Sequence, residues 1–80
     1  NLEVIAAVRE ALAELSETDQ IILQLRYFGM QHSFAEIGQH LGLRPDTARV
    51  RHHRAIDKVK SLLKKDTRLS RILKRAGVTA

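Results

Sequence analysis

No cysteine occurs in the eighty residues, so neither a disulfide nor a thiolate metal site can staple this fold. Tryptophan is absent, proline occurs once, and two phenylalanines and one tyrosine complete the aromatic set. A chain this short makes one small domain, without room for a large core or a secluded catalytic cleft. No apolar run approaches the roughly 20 residues of a membrane span. No signal peptide is visible either, so a reducing cytoplasm is the expected compartment and no membrane is expected as a partner. No glycine-rich phosphate loop occurs, and no cofactor is expected. Ser16 and Ser33 each precede a helical pattern, which makes them caps rather than nucleophiles, and Glu36 is explained by the cap it closes. The expectation is a non-enzymatic domain. The chain starts at Asn1 rather than Met, which points to a piece of something longer.

Charge is present in quantity and unevenly placed. Fourteen Lys and Arg against nine Asp and Glu give a formal net charge of +5. Residues 1–41 hold two basic and six acidic residues, a net −4, whereas residues 42–80 hold twelve basic and three acidic, a net +9. Such polarity is the electrostatic footprint of a half that binds a polyanion.

Apolar residues recur at three and four rather than alternating, which predicts an all-α fold: a small bundle of four to five helices. The first helix is expected over Leu2 to Leu15, with Val4, Ile5, Val8, Ala11, Leu12 and Leu15 in one stripe. Ser16 then caps a second, with Asp19 as the shorter-armed partner of a capping box. That helix carries Ile21, Ile22, Leu25 and Phe28 on one side and ends at Gly29. Leu23 and Tyr27 project off the stripe. Either the helix is buried on more than one side, or these two residues form a docking surface for a partner helix.

The densest pattern runs from Ser33 to Lys60. Ser33 with Glu36 reads as a capping box opening a short helix whose inward face is Phe34, Ile37 and Leu41. Gly38 lies on that face, where a missing side chain lets a second helix cross closely. Gly42 ends the helix, because a left-handed residue is cheapest as glycine. Leu43 fills the corner, and Pro45 opens a long helix at its first position, where its missing N–H costs nothing. Asp46 in the first turn suits the helix dipole. The long helix is expected to reach about Leu63, with Ala48, His52, Ala55, Val59 and Leu62 inward and Arg49, Val50, His53, Arg54 and Lys60 outward. Two helices joined by a tight glycine turn, the second rich in arginine, form a helix-turn-helix whose second helix enters a DNA major groove. Lys64 to Thr67 interrupt the pattern. A break after Lys65 and a short amphipathic helix over Asp66 to Gly77 follow, with Leu69, Ile72, Leu73 and Ala76 on one face. Its expected berth is the apolar surface left by the first two helices; the alternative is a disordered arm that lays Arg68, Arg71, Lys74 and Arg75 on DNA phosphates, and Val78 to Ala80 should fray. The whole is one domain: supporting helices over 1–32, the helix-turn-helix over 33–64, and a basic extension over 65–80.

Three stretches, ALAELSETDQIILQLRYFGM, FAEIGQHLGL and PDTARVRHHRAIDKVKSLL, together resemble the C-terminal domain (region 4) of a bacterial sigma factor, nearest the extracytoplasmic-function group. The resemblance rests on Leu15-Ser16 before an acidic turn, Leu25-Arg26-Tyr27-Phe28, Glu36-Ile37-Gly38, Leu41-Gly42, Thr47, Arg51 and Arg54-Ala55. It implies recognition of a promoter −35 element by the second helix of the pair, and docking on the flap of the RNA polymerase β subunit. It places Arg44, Asp46, Arg49, Val50 and His53 at base-facing positions, and Thr47, Arg51 and Arg54 where side chains touch backbone or brace the helix. The chain departs from the family pattern at Arg44, Ala48 and His52, which stand where a small hydroxyl, a larger branched residue and a leucine are usual. The DNA-binding domain of LuxR-type regulators shares the layout, but Arg51 stands where a histidine is typical there. A sigma-like module that binds an anti-sigma factor is the reading from another class. Arg44, Arg49 and Arg54 favour a DNA reader over a decoy.

The four histidines do not suggest a metal site, which needs three or four converging ligands. His52 and His53 are adjacent and leave a helix on different sides; His32 and His40 lie eight apart. His52 reads as a partly buried packing residue and His53 as a surface donor.

Overall fold

Five helices lie between the breaks that the caps mark: α1 (Leu2–Ala13), α2 (Glu17–Tyr27), α3 (Phe34–Leu41), α4 (Pro45–Lys64) and α5 (Thr67–Arg75). They belong to a computed structural model that describes residues 1–77. The fraying expected of Val78 to Ala80 falls outside the described residues. The architecture is all-α, and no strand occurs among the described residues.

Side chains satisfy the free N–H groups at four of the five starts. Asn1 Oδ1 accepts from Glu3 N at 2.7 Å, Ser16 Oγ from Asp19 N at 3.2 Å, and Asp66 Oδ1 from Arg68 N at 2.9 Å. At α3 the capping box is complete: Ser33 Oγ accepts from Glu36 N at 3.2 Å, and Glu36 Oε1 accepts from Ser33 N at 2.9 Å. The bond from the Ser33 backbone N–H, and then the Ser33 hydroxyl beside it, hold the Glu36 carboxyl below its ordinary range. Ser33→Ala removes half of this box and is expected to cost about 1 kcal/mol. That amounts to a midpoint about 5 °C lower in a thermal melt; an unchanged midpoint would mean that α3 starts elsewhere. α4 alone has no side-chain cap, since Arg44 holds the N-cap position and Pro45 begins the helix.

The first helix stops two residues before its expected end, yet Leu15 beyond it is buried with Leu23 and Ala55. A second cluster joins Ile22, Ile37 and Ala48, ringed by Leu25, Phe34, Leu41 and Leu43. Ile22 and Ile37 are fully buried, each stabilising the fold by about 1.5–3 kcal/mol. α4 is common to both clusters through Ala48 and Ala55. Its small inward residues let it serve as the spine against which α1, α2 and α3 pack.

Several expectations are corrected. Ile5 is 48% exposed, and Ala7 rather than Ile5 joins Ala11 in the buried face of α1. Phe28 is exposed and Leu23 is 5% exposed. Leu23 therefore does not project from the fold: α1 and α4 approach α2 from that side and enclose it between Leu15 and Ala55. Asp19 does not reciprocate the Ser16 cap but reaches Arg51 instead. The space at Gly38 is taken not by a crossing helix but by the turn itself: a Cβ there would overlap the Leu43 carbonyl. Gly42 is left-handed, with φ 69°. The break after Lys65 occurs as expected, and α5 folds back chiefly on α1 and α4 rather than across the first two helices.

Candidate nucleic-acid interface

At about 100° per residue, the α4 positions from Arg49 through His53, Asp46, Val50, Arg54 and Thr47 to Arg51 sweep the arc opposite Ala48, His52 and Ala55. Burial follows that arc. Arg44, Asp46, Thr47, Arg49, Val50, His53 and Arg54 are exposed, and Arg51 is half-buried. Asp46, Thr47, Val50, Arg51 and Arg54 line one shallow depression. Arg44 precedes it at the N-cap, in extended backbone. The first three turns of α4, with Arg44 at their mouth, thus present these seven side chains around the half of the helix that is turned away from the core.

Two of these arginines are engaged. Arg49 Nη2 lies 3.2 Å from Asp46 Oδ1 on the exposed face. Water screens that pair, so the guanidinium is free to exchange its partner for another acceptor. Arg51 Nε donates to Asp19 Oδ1 at 2.9 Å, with both side chains partly covered. This bond ties the outer edge of α4 to the first turn of α2. The pair leaves Arg51 bonded within the fold rather than free on its surface. The partner could not be read from the chain, because 32 residues separate the pair.

A second brace lies on the other edge. Tyr27 Oη and His52 Nε2 are 2.5 Å apart, and the His52 ring meets Phe34 edge-on with centroids separated by 5.2 Å. Arg26 sits over the other side of this group, its guanidinium carbon 4.4 Å from the Phe34 centroid, and donates to the His32 carbonyl at 3.3 Å. His52 is 7% exposed and its Nδ1 is buried without a partner. Burial, then the charges of His53 and Arg26, hold its pKa below the ordinary 6.5. The folded state therefore disfavours imidazolium more than the unfolded chain does. Stability contributed by neutral His52 is present above pH 6.5 and falls as pH drops through and below that value. The melting midpoint is expected to hold steady from pH 8 to 7 and to fall toward pH 5.5. His52→Leu should flatten that interval; an equal fall in the variant would assign the effect to other groups.

Tyr27 thus turns toward α4, which separates it from Leu23. Leu23 instead floors a groove of ≈ 320 Å³ whose other walls are Leu12, Gln20, Gln24 and Phe28. Phe28 and the two glutamines were not expected at a partner surface; the side-chain amides, polar and uncharged beside an exposed ring, are the signal in the chain. The histidine rings of His32 and His40 stack with centroids 5.3 Å apart. Among the described residues, no three His, Asp or Glu side chains gather as metal ligands.

The exposed arginine-rich helix and the glycine turn that joins it to a second helix both lie within a stretch that matches a known family. The family model for "Sigma-70, region 4" covers residues 11–61. The chain belongs to the sigma-70 region 4 family. No curated protein and no solved structure matches it. A sigma-70 region 4 domain is a DNA-binding, promoter-recognition unit of a transcription initiation factor rather than a member of an enzyme family. The family implies promoter DNA and RNA polymerase as its partners. The matched residues take in the end of α1, all of α2 and α3 and most of α4, and leave α5 outside. No helix among the described residues is long and apolar enough to cross a membrane.

Proposed function

We propose that this domain reads a promoter −35 element for a cytoplasmic sigma factor of the extracytoplasmic-function group, with α4 in the major groove. The observation that carries the reading is the exposed arc of α4, with the bracing residues Asp19 and Tyr27 at its two edges. Arg44, Asp46, Arg49, Val50 and His53 face base edges; Thr47, Arg51 and Arg54 touch phosphates or hold the helix. Arg49 is suited to a bidentate contact with guanine, for which it can exchange its exposed bond to Asp46. Lysines farther along α4 neutralise phosphates without reading sequence. All eighty residues act as one unit: supporting helices to residue 32, the reading pair over 33–64, and the basic extension beyond.

The polymerase flap, or an anti-sigma factor competing with it, is assigned to the Leu12–Phe28 groove. Leu23 serves as its floor rather than as a protruding anchor. Tyr27 acts beside it, through His52.

Binding to a library of duplexes at two salt concentrations tests the DNA reading. Arg49→Ala is expected to cost about 1–3 kcal/mol and to relax preference at one base pair. Lys60→Ala should weaken every duplex alike and flatten the salt slope by roughly one. Identical effects of both variants on every sequence would overturn base reading by Arg49.

A further inference from the structure

The structure has a second apolar groove, at the opposite end of α4 from the promoter-reading arc. Its volume is ≈ 340 Å³, and Lys60, Leu63, Lys64, Leu69, Ser70 and Leu73 line it. Lys60 and Lys64 stand one turn apart along α4, and Leu69 and Leu73 one turn apart along α5, with Leu63 at the seam. Leu73, in the last turn of α5, is 46% exposed. The α5 half of the groove lies beyond the residues that the family model covers.

Charge around this groove is predominantly positive, with Asp57 one turn before Lys60 on α4. From Lys58 to Gly77 the sole acidic residue is Asp66, and it is occupied: Arg68 donates to it from Nε at 3.1 Å and from Nη2 at 2.8 Å. Those bonds draw the Asp66 carboxyl down to about 2. Arg68 also reaches Glu10 on α1 at 3.0 Å, which joins α5 to α1 beside the groove. Lys60 and Lys64 make no ion pair among the described residues.

We propose that this groove takes an acidic amphipathic helix of a partner protein. One or two aliphatic side chains would fill the space over Leu63, Leu69 and Leu73, and two carboxylates one turn apart would meet Lys60 and Lys64. A DNA backbone would satisfy the lysines but leave the apolar floor wet and unfilled, so the recessed leucines favour a protein helix. Two rows one turn long match the i, i+4 spacing of a helix and limit the contact to a small, salt-sensitive one. This surface is separate from the Leu12–Phe28 groove; it shares Lys60 with the phosphate contacts proposed above, so partner and duplex compete for that side chain while the base-reading residues of α4 stay uncovered.

The test uses the whole chain and three labelled helical peptides in anisotropy titrations. One carries a leucine stripe flanked by glutamates; the second has serines in place of that stripe; the third has lysines in place of the glutamates. The first is expected to bind saturably, the second at least about tenfold more weakly, and the third not at all. Leu73→Glu, and Leu73→Ser as its uncharged counterpart, should keep the parental melting midpoint because the residue is half-exposed. Both should weaken the first peptide by about tenfold or more while leaving duplex binding unchanged. Lys64→Glu should transfer preference toward the lysine peptide. Equal binding of the leucine and serine peptides, or unchanged peptide binding in both Leu73 variants, would overturn the proposal. Loss of duplex binding in the Leu73 variants would overturn it in favour of a nucleic-acid surface. Concentration-dependent self-association abolished by Leu73→Glu would overturn it in favour of a second copy of the chain.

Discussion

Gly38→Ala is expected to destabilise the domain by about 2–3 kcal/mol net and to abolish promoter binding at temperatures where the parent is folded. Two effects oppose each other. Alanine is the better helix former, and inside α3 that preference alone would stabilise by about 0.5–1 kcal/mol. Against it stands the Leu43 carbonyl, which a Cβ at this position would overlap. The obstacle is backbone, so no side-chain rotation relieves it. The same carbonyl belongs to a turn already committed: Leu43 N donates to the Gly38 carbonyl at 2.9 Å, and Arg44 and Pro45 lead straight into α4. Moving Leu43 outward shifts the start of α4 away from Ile37 and Ala48, where the packing has no slack. The clash therefore wins. Circular dichroism melts should show a midpoint lower by more than about 10 °C. A midpoint equal to or above the parent's would mean that the turn yields freely, and that helix propensity decides the residue.

The second large effect is expected at Leu23. Leu23→Gln removes an aliphatic side chain from between Leu15 and Ala55 and places an amide there. Losing the packing costs about 2–5 kcal/mol in comparable large-to-small changes, and an amide without a partner adds to that. A total loss of about 3 kcal/mol or more is a large share of the stability of a domain this small. The variant should melt broadly or be unfolded near room temperature, and partner binding should fail for that reason. Leu23→Met conserves volume and should restore a cooperative melt. Phe28→Ser, on the exposed wall of the same groove, should leave the midpoint nearly unchanged. Cooperative unfolding of Leu23→Gln within about 1 kcal/mol of the parent would return Leu23 to the surface.

The contrast between Leu23 and Phe28 shows where the chain stops being readable. On a helical wheel Phe28 continues the stripe of Ile21, Ile22 and Leu25, and Leu23 leaves it. Yet α2 ends at Tyr27, so Phe28 is already extended, with ψ 144°, and the wheel no longer applies to it. Leu23 is buried because α4, with Ala55, and the end of the first helical segment, with Leu12 and Leu15, close over it on the side away from the stripe. Periodicity describes one face of one helix and cannot count its neighbours.

Other features are legible in the chain because their causes lie within three or four residues. Ser33 and Glu36 meet across a single turn; Gly42 supplies the left-handed residue that ends α3; Pro45 starts α4 where no N–H is needed; Asp66 starts α5. The exposed arc of α4 follows equally from the spacing of Ala48, His52 and Ala55. With the charge divided between the two halves, these local rules account for the helix-turn-helix and for the side of it that can meet DNA. Tertiary structure decides what distance along the chain hides. Asp19 could close its own cap or pair with a cation elsewhere, and only the approach of α2 to α4 selects Arg51. Tyr27 could face a partner or the core, and its hydroxyl reaches α4, although its ring stays half-exposed, because the imidazole at position 52 offers a buried hydrogen-bond partner. Arg68 could lie on DNA or on α1, and Glu10 together with Asp66 holds it. In each case several partners are chemically equivalent along the sequence. The free energy that separates them comes from which helices are already packed side by side, and that is a property of the whole fold.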